Sequence, residues 1–387
     1  MTELSLVAGP LTGVTVVELA GIGPAPFAAM VLADMGADVI RIDRPATARP
    51  AGGVSGPASP IVRNRRSIVV DLRTDAAIDI VLRLVARADA LVEGFRPGVA
   101  ERLGFGPARC HEINRRLVYG RVTGWGQDGP WAHRPGHDIN YVAVSGTLDA
   151  IGRAGQPPTP PLNLLGDYAG GGMLLALGVL AALVEVTGGA DGRVVDAAMV
   201  DGAALLATMI HGLRNEHRWK AERGTNILDT GAPFYDVYET ADGKHIAVGA
   251  IEPAFYAEFL AGIGLSDDEL GDQMDEAAWP AQKARIAAMI KTRSRDEWSA
   301  VFDGREACVT PVLTMAEAPR HPHLMARGSF RTVGPTTEPA PAPRFLPEVT
   351  GDTRPAAQPG RDTDTILAEL GLAPADVAEL RRCGAVQ

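Results

Sequence analysis

Residues 16–44 read VVELAGIGPAPFAAMVLADMGADVIRIDR. An apolar run ends at Leu19, a turn carries Gly21 and Gly23, an apolar helical pattern follows, and a second apolar run closes on Asp43. That order is how a doubly wound α/β domain begins: the first turn approaches a phosphate, and an acid after the second strand holds a ribose. The dinucleotide fingerprint wants a third glycine where helix and strand backbones touch, and Pro26 stands in that place. Proline suits a first helical turn, so the strand, turn, helix, strand reading survives while the NAD signal weakens.

Outward from this stretch the pattern repeats. Strands are expected at 14–19, 38–42, 68–71, 90–93 and 117–122, alternating with helices at 25–36, 75–88 and 107–115, which specifies a parallel, doubly wound sheet. A helix at 168–186 precedes GRVVDAAMVDGAALLATMIHGL, read as a short strand running into a long apolar helix. FYDVYETADGKHIAVGAI (234–251) changes the rhythm: two alternating runs around Ala-Asp-Gly predict a hairpin, and a helix from Pro253 opens a mixed module. Residues 333–360 are crowded with proline and are expected to be a linker or surface crossing without regular structure. A helical tail follows. The division expected is a first large segment at 1–200, a linker helix at 201–228, a small domain at 229–325 and a return segment at 326–387.

Composition narrows the function. The chain has 387 residues, 46% of them hydrophobic, and a formal charge of −10. Such a chain carries a sizeable core, and its acidity argues against nucleic acid or an anionic membrane as partner. Any anionic ligand must meet a local basic patch. Cys110, Cys308 and Cys383 are too scattered for a CxxC metal or redox motif or a disulfide framework, which fits a reducing compartment. MTELSLVAGP has no basic segment before an apolar core, so no signal peptide is expected. The uncharged run at 168–184 reads as a buried core helix rather than a membrane span. A cytoplasmic location is expected.

Arginine dominates the 37 basic residues. RIDRP (41–45), RNRR (63–66), DLR (71–73), GFRPG (94–98) and Arg102 are expected at or just after the C-terminal strand ends, the edge where open α/β sheets bind ligands. Planar guanidinium forks suit phosphate oxygens. The plain alternative is that arginine is simply the favoured surface cation of this protein.

PGHDINYVAVSG (135–146) and PPLNLLGDYAGGGMLLALG (160–178) contain His137 and Asp167. A histidine beside an apolar run is commonly structural, and Asp167 reads as the N-cap of the glycine-led helix. The same placement puts a carboxylate beside free backbone N–H groups, which could stabilise an oxyanion while the carboxylate moves a proton.

With these stretches in hand, the chain resembles the family III CoA-transferase superfamily (CaiB/BaiF type), and within it the α-methylacyl-CoA racemases. The resemblance rests on residues 16–45, RNRRSIVVDLR, GFRPGVAERLG, GRVTGWGQDGP, GHDINY, NLLGDYAGGG, GRVVDAAMVDG, the ADG hairpin and ILAELGLAPADVAELRRCG in that order. It implies a Rossmann-like large domain, a smaller α+β domain and an interlocked homodimer, with coenzyme A carried by the substrate and no separate cofactor or metal. By that resemblance, CoA contacts match Arg44, Val70, Asp71, Leu72, Arg73, Gly94, Phe95, Arg96, Arg102, Gly136, His137, Asp138, Ile139, Asn140 and Tyr141. The acid/base residues match His137 and Asp167, and a glutamate from the partner's small domain matches Glu252, which alone reads as a helix-start carboxylate.

The activity so implied is interconversion of (2R)- and (2S)-2-methylacyl-CoA thioesters through an enolate, with one base on each face. A CoA-transferase using Asp167 as nucleophile is the alternative. It is disfavoured because RGTNILDTGAPFYDVY lacks the glycine run common in family transferases and because His137 is present. A silent CoA-binding protein is the third reading. Met173, Met199 and Met209 are candidates for an adaptable acyl slot, or plain core.

Overall fold

The computed structural model describes residues 8–45, 59–334, 336–346 and 354–387. The chain divides into two compact units, one of residues 1–145, 162–206 and 329–387, the other of 146–161 and 207–328. Residues 146–161 thus cluster with the second unit although they interrupt the first in sequence.

The first unit is built on six parallel strands: β1 (Thr15–Leu19), β2 (Asp38–Asp43), β3 (Arg65–Val69), β4 (Ala90–Glu93), β5 (Val118–Thr123) and β6 (Val194–Ala198), in spatial order β3-β2-β1-β4-β5-β6. This is the doubly wound order, and the chain reverses direction across the sheet between β1 and β4. Period-two alternation sends Val17 and Leu19 to one face and Val16 to the other, so each face gains its own core. One core packs the helix α2 (Asp75–Val85) through Ile80, Val81 and Leu84 together with Ile366 and Leu367 of Thr363–Glu369. The other packs α1 (Pro24–Asp34) through Ala28, Ala29 and Leu32. Parallel strands covered on both faces read as continuous apolar runs, which is why β1, β2, β4 and β5 were visible in the sequence.

β3 begins at Arg65, earlier than its apolar residues indicate, because its polar start is buried by pairing. Arg65 and Glu18 are both fully buried, with Arg65 Nε 2.9 Å from Glu18 Oε2, and Arg65 Nη2 also donates to the Pro26 carbonyl. Arg66 bonds Asp38 and Glu369, Arg63 bonds Asp34 and the Pro339 carbonyl at 3.0 Å, and Arg41 grips Asp43 with two bonds of 2.9 Å. RNRR therefore lies at the N-terminal end of its strand as a set of internal ion pairs, not at the ligand edge as expected. Asp43, the residue placed like a ribose acid, is spent on Arg41 and on the Ser67 hydroxyl at 2.7 Å.

Two short helices, α3 (Val99–Leu103) and α4 (Pro107–Ile113), join β4 to β5. Helix α5 (Asp138–Val144) follows the β5 loop. Residues Leu164–Met173 then form a π-helix that continues without a break into α6 (Leu174–Thr187), so this helix starts before the Tyr168 expected from sequence. This helix of 24 residues is long and apolar enough to cross a membrane by length and composition, with a mean hydropathy of 2.0 over its most apolar stretch, yet half of that stretch is buried in the protein. Gly170, Gly171 and Gly172 let it touch its neighbours: a Cβ on Gly171 would stand 3.0 Å from Pro24 Cβ, and one on Gly172 would stand 2.8 Å from the Phe27 ring. Beyond β6 the long helix expected from sequence is two pieces, α7 (Met199–Leu206) and α8 (Thr208–Asn215), broken at Ala207.

A β-hairpin of β10 (Phe330–Val333) and β11 (Thr336–Pro339) also belongs to the first unit. It corrects the expectation that 333–360 holds no regular structure: Thr336–Thr337 supply β-favouring residues, and Pro339 closes the edge. Residues 347–353 of that stretch lie outside the described residues. The helical tail is two helices, Thr363–Glu369 and Pro374–Arg382, separated by Gly371 with φ +80°.

The second unit holds an antiparallel sheet of β7 (Tyr235–Glu239), β8 (His245–Gly249) and β9 (Val309–Pro311), with the expected hairpin at Ala241-Asp242-Gly243. Its core gathers Phe234, Tyr256, Phe259, Trp279, Trp298 and Phe302. Residues 146–161 are tied to it by Asp236, buried on β7, which pairs with Arg153 and Lys283, each at 2.8 Å.

Candidate functional site

In open α/β sheets the ligand crevice lies outside the carboxyl ends of the strands where their order reverses. Here that point is flanked by the turn after β1, Gly21 to Gly23, and the loop after β4, Gly94 to Gly98. Gly23 has φ +70° and ψ −122°, a conformation open to glycine. Directly against it lies Asp167: a Cβ built on Gly23 would be 3.2 Å from Asp167 Oδ2.

Asp167 is not the N-cap expected from sequence. The π-helix starts at Leu164 with Asn163 at its cap position, and Asp167 sits within the first turn. Asn163 Nδ2 donates to Asp167 Oδ2 at 3.1 Å. The i, i+4 spacing of these two residues was available in NLLGD and is the signal that would have found Asn163. Burial pushes the Asp167 carboxyl above the usual carboxylate range; the Asn163 hydrogen bond opposes the shift, the Asp138 charge adds to it and His137 opposes it.

His137 caps α5 from outside, with extended backbone and an exposed side chain. Its own N–H donates to Asn140 Oδ1 at 3.0 Å. Asp138 turns inward: Oδ2 accepts the N–H groups of both Gly166 and Asp167 at 2.7 Å. Those two donors are therefore not free for an oxyanion, contrary to the sequence expectation. Ile139 and Asn140 are exposed, and Tyr141 is buried. The Tyr141 ring lies between Gly124 and Gly136, where a Cβ would come within 2.1 and 2.7 Å of it, and stacks edge-on against Trp125 at 4.8 Å. Burial raises the Tyr141 phenol to about 12, with the Asp167 charge adding and Arg96 opposing. His137, Asp138, Tyr141, Asp167 and Arg96 thus form one electrostatic neighbourhood.

Of the arginines singled out, Arg44, Arg73, Arg96 and Arg102 remain exposed. Arg44 lies over the Phe95 ring, 5.9 Å from its centroid. Phe95 N–H donates to the buried Glu93 at 2.6 Å, which fixes the loop that presents Arg96. Arg73 pairs with Asp71 at 2.5 Å. Val70 is buried and bridges Val386, and Asp71 N–H goes to the Ala385 carbonyl at 2.9 Å, so these two residues hold the C-terminus in place. Leu72 packs on the core, and Gly94 borders Ala25. In the second unit Glu252 is an exposed residue at the N-cap of Pro253–Ile263. Met199 is buried core, while Met173 is half exposed. Among the described residues no group of three or more His, Cys, Asp or Glu could hold a metal ion.

Comparison with known proteins agrees with this architecture. The chain is 45% identical over 373 residues to the alpha-methylacyl-CoA racemase of Mus musculus and likewise to that of Homo sapiens, covering 96% of this chain and 96% of each relative. A crystal structure of a CAIB/BAIF family protein from Brucella suis superposes with a TM-score of 0.80 at 24% identity, covering 94% of this chain and all of that one, and so shares its fold. The family model of CoA-transferase family III matches residues 11–365, and the chain belongs to that family.

Proposed function

We propose that this protein is a 2-methylacyl-CoA racemase that inverts C2 by moving one proton off and another on. The observation that carries the reading is that His137 acts electrostatically on the half-buried carboxyl of Asp167, in a chain 45% identical to enzymes named for that activity. The CoA nucleotide lies on Arg44, Arg73, Arg96 and Arg102, whose forks suit its phosphates.

With the thioester bound, one base takes the C2 proton and leaves its electron pair in a planar enolate. The other base, already protonated, returns a proton to the opposite face. Histidine is suited to both states near neutral pH, and a carboxyl needs burial to carry a proton there, which is the direction in which Asp167 is shifted. The enolate charge is met by donors other than the Gly166 and Asp167 N–H groups, which Asp138 occupies. The working form is a homodimer in the cytoplasm, with the partner's Glu252 beside His137. The exposed apolar side chains Leu177, Val184, Leu205 and Leu206 support burial against a second copy.

The test is deuterium wash-in. Wild-type protein in D2O should label C2 of either epimer of a 2-methylacyl-CoA with no acyl acceptor present. His137→Ala and Asp167→Asn should each lose inversion by about 10²–10⁴, and any exchange left should favour opposite epimers. Transfer of CoA to a free acid with C2 unlabelled would instead establish the transferase reading, in which Asp167 is the nucleophile. Binding of the ester with neither outcome would leave a CoA-binding protein without catalysis.

A further inference from the structure

Asp138 follows His137 directly in the chain, and its carboxylate reaches the backbone of Asp167. The residue is 5% exposed, and its Oδ2 accepts two N–H groups, from Gly166 and Asp167, both at 2.7 Å. Gly166 is what permits the approach, since a Cβ there would stand 2.7 Å from the same oxygen. The other oxygen, Oδ1, is buried and has no hydrogen-bond partner among the described residues. Burying a carboxylate with one oxygen unpartnered costs stability, and accepting the two N–H groups needs no charge, since an asparagine oxygen could accept them with its amide nitrogen in the unpartnered place. A charge at this place therefore calls for a role beyond capping.

We propose that Asp138 is a positioning residue that couples the two bases, anchoring the backbone of Asp167 to the first turn of the helix that starts at His137. The inference rests on the racemase reading for its kinetic consequence, but its structural content stands apart from it. The clamp fixes how far apart the bases lie and how they face. The Asp138 charge also favours the protonated form of Asp167, as any like charge nearby does.

Among the described residues, Asp138 is the anion whose charge acts on Asp167. From α5, Asp138 and His137 act on Asp167 in opposite senses, and from its own helix Asn163 donates to it. Helix α1 turns Pro24 and Phe27 toward this helix, and α7 turns Met199, Gly202 and Ala203, all uncharged. Asp201 of α7 acts on Asp196 instead. Tyr141 stays neutral, with its phenol at about 12.

Two variants test the proposal, read by carboxyl NMR titration of Asp167 in the free protein and by pH profiles of kcat and KM. Asp138→Asn keeps an acceptor and removes the charge. Asp167 should then titrate lower by about half a unit or more, and the acid limb of kcat should move the same way. Asp138→Ala removes the clamp as well, and kcat should fall roughly 100-fold with KM little changed. Intact kcat in Asp138→Ala overturns the proposal, and a rise in KM beside it would make Asp138 a contact for CoA; an Asp167 titration unmoved in Asp138→Asn overturns the charge effect. Should the alanine variant fail to fold, Gly166→Ala, whose Cβ would stand 2.7 Å from Asp138 Oδ2, disturbs the clamp instead and should lower kcat in the same way. If the wild type leaves C2 unlabelled, the racemase reading fails while the titration still judges the Asp138 charge on Asp167.

Discussion

The Asp167 carboxylate rests against Gly23, with room for only a hydrogen between them: a Cβ at Gly23 would be 3.2 Å from Oδ2. Gly23 also holds φ +70°, where a side chain adds strain of roughly 1–3 kcal/mol. Gly23→Ala is therefore expected to displace Asp167 and slow C2 exchange by about 100-fold, the scale of a misplaced catalytic group. CoA affinity, measured by calorimetry on the same preparation, should be little changed. Full exchange in the alanine variant would show that Asp167 has slack against this turn.

Much of this arrangement was legible in the sequence. The parallel sheet, the switch-point glycines, the hairpin at Ala241-Asp242-Gly243 and the long apolar helix all follow from periodicity and turn chemistry. What escaped was polar burial. Arg63, Arg65 and Arg66 read as a phosphate cluster because sequence shows charge but not partners, and their partners Asp34, Glu18 and Asp38 lie on other elements. The same blindness made Asp167 a helix cap, when its N–H already belonged to Asp138.

That sorting of arginines makes a direct prediction. Arg44→Ala and Arg96→Ala should each weaken CoA binding by about 1.5–3 kcal/mol, roughly tenfold to a hundredfold in Kd, with the loss shrinking as salt rises. Unfolding midpoints should stay near wild type, since both side chains are exposed. Calorimetric titration with CoA at two salt concentrations checks it. Unchanged affinity in both variants would move the nucleotide elsewhere.

Arg65 predicts the reverse pattern. Burial lowers its pKa and raises that of Glu18, and each offsets the other's desolvation. Arg65→Met leaves Glu18 buried without its partner, which costs about 3–5 kcal/mol. Because the folded pKa of Glu18 then lies still further above its unfolded value, the variant should be least impaired in acid, and its deficit should grow as pH rises through the carboxylate range. Glu18→Gln in the same background should recover part of the loss. A deficit independent of pH in urea unfolding would place the damage in packing instead.

Glu93 supplies a pH dependence of the wild type itself. It ends β4 beneath the loop that carries Arg96, and burial raises its carboxyl to about 7 against the opposing pull of the Phe95 N–H and Arg121. Between its ordinary value of 4.5 and about 7 the folded protein holds a proton on Glu93 that the unfolded chain has released. Stability from this group therefore falls as pH rises across that interval and is constant above it. Glu93→Gln keeps an acceptor for Phe95 N–H and has nothing to titrate. The unfolding free energy of Glu93→Gln relative to wild type should thus climb from pH 4.5 to pH 7, by on the order of 1–3 kcal/mol, and then level off. Denaturant unfolding at half-unit steps of pH measures the difference directly. A flat difference would mean that Arg121, 3.0 Å from Glu93 Oε1, keeps the carboxylate charged throughout, and that the Arg96 loop rests on a permanent ion pair rather than a titrating one.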